Sequence, residues 1–154
     1  MGDHELPWLR SMLYFETTGY GYPKYLCEDI LWWFAKSFYP RHKIDITVNH
    51  RGMKREGVYG WCDIAAKERH ARTFLIEIQS NLHKKTYAET LVHELIHVGQ
   101  WIDGDLSLKA GTLCYRGIRV SGDMDSPHEI EAHGGEREYL LKFLCDSGRV
   151  WTCL

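Results

Sequence analysis

Thr86-Tyr87-Ala88-Glu89-Thr90-Leu91-Val92-His93-Glu94-Leu95-Ile96-His97-Val98 carries two histidines four residues apart inside a helical apolar pattern. On an α-helix, residues i and i+4 lie one above the other, so His93 and His97 point the same way and can share one metal ion. Glu94 sits roughly 100° round the helix from His93, within reach of a water on that ion without ligating it. Leu91, Leu95, Val98 and Ile102 recur at helical spacing and form an apolar stripe away from the histidines. Thr86 with Glu89 reads as a capping box, and Gly104 as the stop. Just upstream, Thr73-Phe74-Leu75-Ile76-Glu77-Ile78 is short and rich in strand formers. The H-E-x-x-H pattern suits zinc-assisted hydrolysis, with one Zn²⁺ per chain. Two neutral imidazoles hold the ion, and the carboxylate takes a proton from the metal-activated water.

Size and composition frame that motif. A chain of 154 residues, 44% apolar and 13% aromatic, is expected to be globular and to form one domain, 1–154. Nineteen basic against 21 acidic side chains give no global attraction to nucleic acid or to a membrane surface. No apolar run is long enough to span a bilayer, and Met1-Gly2-Asp3-His4-Glu5 does not read as a signal peptide. Cys27, Cys62, Cys114, Cys145 and Cys153 are odd in number and contain no C-x-x-C pair. A reducing, cytoplasmic setting is therefore expected rather than a disulfide framework.

Other segments read as follows. Tyr25 to Phe38 is helical, with Leu26, Ile30, Trp33 and Phe34 on its apolar face, and ends at Pro40. Trp32-Trp33-Phe34 reads as core. Ile44 to Val48, Val58 to Ala65 and Arg72 to Ile78 read as strands. Gly104 to Asp125, rich in glycine and aspartate, reads as a long irregular connection. Ser126-Pro127 opens a last helix through about Cys145, with Ile130, Leu140, Leu141 and Leu144 as its apolar residues.

A catalytic zinc needs a third protein ligand, and Pro127-His128-Glu129-Ile130-Glu131-Ala132-His133 concentrates four candidates where a second helix can cross the first. Glu129, Glu131 and His133 each stand as possible third ligands, and Glu129 is also placed to complete a capping box with Ser126. H-E-x-x-H followed by a later helix bearing E-x-x-A resembles the gluzincins, the zinc metallopeptidases that include thermolysin-like enzymes and small single-domain phage and bacterial proteins. The resemblance covers Arg72 to Leu144. It implies that Glu129 is the ligand and Ala132 the small residue at the helix crossing. His133 stands where that family carries an Asp or Asn supporting the first histidine, a departure that leaves His133 open as support or ligand.

Tyr115 and Arg116 are candidate donors to the oxyanion of a tetrahedral intermediate. Asp103 or Asp105 could bond the free nitrogen of a ligating histidine. Cys62 stands upstream of H-E-x-x-H as the cysteine of peptide deformylases does, but their E-G-C motif is absent. Arg41, Lys43, Arg51, Lys54 and Arg55 read as a solvated basic hairpin. The expected architecture is an α+β, minimal zincin-like fold: a small, mostly antiparallel sheet, the active-site helix, and a ligand-bearing C-terminal helix. The expected activity is zinc-dependent hydrolysis of a peptide or protein substrate, with Glu94 as general base and Thr73 to Ile78 offered to the substrate as a strand. The alternatives are a zinc-retaining binding or structural module with little hydrolysis, and a SprT-like protease associated with nucleic acid. No membrane or nucleic-acid partner is otherwise expected.

Overall fold

Phe74, Ile76 and Ile78 are all buried on one face of a strand, and this strand occupies the middle of the main sheet. The computed structural model describes residues 12–65 and 70–150; Met1 to Glu5 and Cys153 lie outside the described residues. Strands β1 (Leu13–Gly19), β2 (Ile44–Arg51), β3 (Gly60–Ile64) and β4 (Thr73–Gln79) form a sheet in the order β1-β2-β4-β3. Helix α1 (Lys24–Phe38) joins β1 to β2, α2 (Lys84–Ile102) carries the histidines, and α3 (Pro127–Ser147) follows a smaller sheet. Ile44, Ile46 and Val48 alternate with half-buried residues along β2, and they complete an apolar face under the helices with the β4 residues.

The α+β class expected from the sequence holds. The main sheet is mixed rather than mostly antiparallel: β1–β2 and β2–β4 are parallel, and only β3–β4 is antiparallel. The cause is connectivity. A helix between β1 and β2 returns the chain to its starting end, which forces parallel pairing. β4, with the stronger apolar alternation, takes the interior position, while the half-buried β3 is left at the edge. Among the described residues no helix is long and apolar enough to cross a membrane. Cys27, Cys62, Cys114 and Cys145 are all free thiols.

Two segments differ from expectation. Gly104 to Asp125 contains an antiparallel meander, β5 (Leu106–Lys109), β6 (Thr112–Tyr115) and β7 (Ile118–Arg119). Its two turns are Ala110-Gly111 and Arg116-Gly117, with positive φ at both residues of each, the pattern of a tight hairpin. In addition, α2 begins two residues before the expected capping box. His83 is its N-cap and its Nδ1 accepts from Lys85 N–H, so Thr86 already lies in the first turn. Gly104, at φ +81°, does stand just past the end of α2.

Helix α3 buries two of the four apolar residues read from its sequence, Leu140 and Leu144, and leaves the other two outside. Ala132, Leu140, Phe143 and Leu144 are buried, whereas Ile130 and Leu141 face outward. Ala132 is fully buried, and a Cβ on Gly135 would stand 3.1 Å from Ile96 Cδ1. Small residues thus let the two helices approach closely beside the histidines.

Candidate metal centre

Helical spacing brings the two histidines of α2 together. His93 Nε2 and His97 Nε2 are 3.1 Å apart, both residues being buried. From α3, Glu129 sets one carboxylate oxygen 3.2 Å from His93 Nε2 and the other 2.9 Å from His97 Nε2. A tetrahedral ion with bonds of about 2.0–2.1 Å holds its ligand atoms roughly 3.3 Å apart. The three side chains therefore fit a divalent cation with little adjustment. Glu129 faces the histidines and makes no capping-box bond; Ser126 N–H donates to Asp123 O instead.

The outer nitrogens of the rings are held as metal-ligating imidazoles require. His93 Nδ1 donates to Glu136 Oε1 at 2.5 Å, and His97 Nδ1 donates to Gln100 Oε1 at 2.7 Å. Both bonds fix the tautomer that leaves the Nε2 lone pair free for a cation. Gln100 Nε2 in turn donates to His128 O and to Glu131 Oε1, each at 3.0 Å, which settles the orientation of the amide. Glu131 also accepts from Tyr115 Oη at 2.7 Å and from Arg116 at 3.4 Å.

The sequence candidates separate accordingly. His93, His97 and Glu129 converge. His133 stands beside them, its ring 4.6 Å from that of His93 and its Nδ1 3.0 Å from Glu136 Oε1. His93, His133 and Glu136 also have ligand atoms within 4.8 Å of one another, but Glu136 there is bonded to the side of His93 that faces away from Glu129. Glu131 is one layer further out, behind Gln100. Tyr115 does not reach the cavity as an oxyanion donor, because its hydroxyl is bonded to Glu131 and it is absent from the lining. Arg116 pairs with Asp105 and Glu131. Neither Asp103 nor Asp105 touches a histidine ligand: Asp103 accepts from Tyr39, and Asp105 meets Arg116. Arg51 of the basic stretch pairs with Glu56 and Glu77.

Two side chains of the cluster escaped the sequence reading, and a third was counted among the four candidates of its segment without a role of its own. Glu136 lies two turns along α3 from Glu129, and Gln100 lies three residues after His97, spacings that could have flagged both. The third is His128. It is 4% exposed, its Nδ1 has no hydrogen-bond partner, and its Nε2 lies 3.9 Å from Glu129 Oε1.

Charge follows the same geometry. Burial pulls the His93 imidazole down, but its bonds to Glu129 and Glu136 outweigh this and raise it to about 10. Burial likewise opposes the charge on His97, yet the bond to Glu129 leaves it above the ordinary histidine value. Burial pushes the Glu129 carboxyl up, while hydrogen bonds from both histidines hold it well below the usual carboxylate range. The metal-free cluster is thus an ion pair whose protons a cation would displace. Glu94, 4% exposed, is pushed up by burial to about 7 against the pull of His97 and His93. Burial, and then the charge on His97, lowers His128.

These groups line a cavity of about 570 Å³. Its walls include Gly60, Trp61 and Cys62 of β3, Trp101 of α2, Leu106 and Leu113 of the meander, and Met124. Gly60 has no room for a side chain: a Cβ there would lie 2.9 Å from Thr90 Cγ2, 3.0 Å from Glu77 O and 3.4 Å from Glu94 Oε1. Cys62 shares the cavity but not the ligand cluster, and burial pushes its thiol well up, away from the thiolate a metal needs. The strand expected to receive a substrate, now β4, has β2 on one side and β3 on the other. The edge strand beside the cavity is β3.

No family model matches the chain, and no curated protein or solved structure matches it.

Proposed function

We propose that this chain is a zinc metallopeptidase in which His93, His97 and Glu129 hold the ion and Glu94 is the general base. The observation that carries the reading is the convergence of two Nε2 atoms and a carboxylate at 2.9–3.2 Å, with both Nδ1–H groups already engaged. A bound Zn²⁺ supplies Lewis acidity, which acidifies water and polarises a carbonyl. Glu94, buried beside the ligands, accepts the proton of the attacking water and returns it to the leaving amine nitrogen. Burial raises its carboxyl in the metal-free cluster, and a cation held by the neighbouring ligands would draw it back toward the ionised form that accepts a proton.

The edge of β3 that no other described strand pairs with offers backbone groups to an extended peptide, in place of the interior β4. His128 supplies the donor that Tyr115 does not. Its sealed Nδ1 is better left as a lone pair than as an unpaired N–H, so the proton resides on Nε2, toward Glu129 and the cavity. From there it can meet the carbonyl oxygen as negative charge develops. The geometry favours Glu129 over His133 as the third ligand, which weakens the SprT-like alternative. The binding-module alternative has no group that would need a buried base.

The test is cleavage of a mixed peptide library by zinc-loaded wild type, with and without a chelator, beside Glu94→Gln. The reading expects chelator-sensitive cleavage that zinc restores and that Glu94→Gln lacks. A zinc-loaded wild type that cleaves nothing in the library would overturn it and leave the binding module.

A further inference from the structure

Glu89, His93, His97 and Trp101 follow one another at four-residue steps, so they form a single line along the face of α2 that looks into the cavity. The two ends of that line are chemically unlike. Toward the N-terminus of α2 the lining is Thr86, Glu89 and Thr90, faced by His133 and Glu136 of α3. Toward the C-terminus it is Trp101, Leu106, Leu113 and Met124. The ligand cluster stands between them. Twelve residues of helix span about 18 Å, the length of roughly five residues of extended peptide. Both ends therefore fall within about three residues of a bond held at the ligand cluster.

Charge distinguishes the ends further. Among the described residues the cavity wall contains no lysine or arginine. Of its carboxylates, Glu129 is bonded to His93 and His97, and Glu136 to His93 and His133. A divalent ion is balanced by Glu129 and Glu94, while Glu136, beside an imidazole that ligation keeps neutral, adds negative charge at the Glu89 end. Glu89 is half-buried and makes no hydrogen bond or ion pair with any described residue. A carboxylate held without a counter-charge in a partly desolvated cavity favours a cation there. Lys85 and Arg137 line a neighbouring cavity beside α3, which Glu89 also borders, but not the one that holds the ligand cluster. The opposite end has the composition of a pocket for a large apolar side chain.

We infer that the cleft selects peptides by a two-ended pattern: a lysine or arginine on the Glu89 side of the cleaved bond and a bulky apolar residue on the Trp101 side. This inference rests on the metallopeptidase reading and adds its substrate class. Both ends act together, because one extended peptide reaches them at once.

The experiment profiles cleavage sites by mass spectrometry in a mixture of random ten-residue peptides, using zinc-loaded wild type, Glu89→Gln, Glu89→Lys and Met124→Asp. Glu89 has no bonded partner among the described residues and Met124 is 69% exposed, so neither position is needed to hold the described fold. Zinc content and circular dichroism of each variant verify this. Wild type is expected to enrich Lys or Arg on one side of the cut and Leu, Phe or Met on the other, by about fivefold each. Glu89→Gln should abolish only the basic preference, Glu89→Lys should turn it toward Asp and Glu, and Met124→Asp should weaken only the apolar one. Cleavage without a basic preference, or one that survives Glu89→Lys, overturns the inference while leaving the peptidase standing. A wild type that cleaves no peptide removes the peptidase reading and this inference with it.

Discussion

His93 and His97 are one turn apart on the same helix, yet they are held in different ways. The outer nitrogen of His93 meets a carboxylate, Glu136, that comes from α3 and is shared with the half-exposed His133. The outer nitrogen of His97 meets a neutral amide, Gln100, from its own helix, within a chain of bonds running through Glu131 to Tyr115. A charged acceptor makes its imidazole a stronger donor to a cation than a neutral one does, whereas an acceptor on the same helix stands in register with its histidine before the helices dock. His93 thus leans directly on α3, whereas His97 leans on a residue of its own helix that α3 in turn orients through His128 O and Glu131.

The largest effect tests whether the two are nonetheless one site. Wild type should carry about one zinc per chain by elemental analysis, and His93→Ala and His97→Ala should each abolish it. A variant that keeps stoichiometric zinc would show that the two rings do not share an ion. Glu94→Gln comes next. It should retain the metal and the melting temperature while lowering the cleavage rate by about 10²–10⁴-fold, the usual range for a lost general base. Loss of zinc in that variant would make Glu94 a ligand instead.

The unequal support of the two histidines predicts unequal variants. Glu136→Gln should weaken zinc binding by about 10–100-fold, as removal of such a partner commonly does. Gln100→Met should weaken it by a smaller factor, because the acceptor it removes from His97 Nδ1 is a neutral amide. Competition against a chromogenic chelator reads both. Equal loss in the two variants would break the comparison. The same carboxylates set the pH dependence. In the metal-free protein His93 keeps its proton up to about pH 10, above its unfolded value of 6.5. The stability from that bond is present in full below the unfolded value and is lost as pH rises through the folded one. Zinc must displace the proton at neutral pH. Its affinity should therefore rise by up to about tenfold per pH unit between pH 7 and 9, with proton release visible calorimetrically in buffers of different ionisation enthalpy.

How much of this could be seen in the sequence follows from the same local-against-distant contrast. His93, Glu94 and His97 were legible because their relation is set by one helix and needs no tertiary fact. Glu129 was one of three open candidates on residue chemistry, and only the gluzincin resemblance singled it out. Glu136 was not seen, since its place depends on how closely α3 crosses α2 at Ala132 and Gly135. β5, β6 and β7 are four, four and two residues long, too short for an alternation to register, although Ala110-Gly111 and Arg116-Gly117 mark their turns. The direction of the main sheet was missed with β1, because without it α1 has no second parallel strand to connect. Ile130 and Leu141 are apolar yet exposed for a simpler reason. Hydrophobicity on a helix marks a buried face only where a neighbour covers it, and here α2 meets the face of Glu129, Ala132, Glu136 and Leu140.

The smallest expected effect concerns Glu131, the candidate whose carboxylate ends up behind Gln100. Glu131→Gln keeps the size of the side chain and one acceptor oxygen, but removes the charge that receives Tyr115, Arg116 and Gln100. Zinc affinity should change by no more than about threefold, because Gln100 still has His128 O to hold it in place. Burial and the Glu131 carboxylate raise the Tyr115 phenol to about 12, so its ionisation should move toward 10 in the variant, readable by ultraviolet titration. Stability should fall by about 1 kcal/mol, the scale of one partly exposed hydrogen bond, or about 2–4 °C in melting temperature. Glu129→Ala measured alongside should lose the metal. If instead Glu131→Gln strips the zinc while Glu129→Ala retains it, α3 presents its other face to the histidines. The contrast between a support that crosses helices and one that stays within α2 would then fall with it.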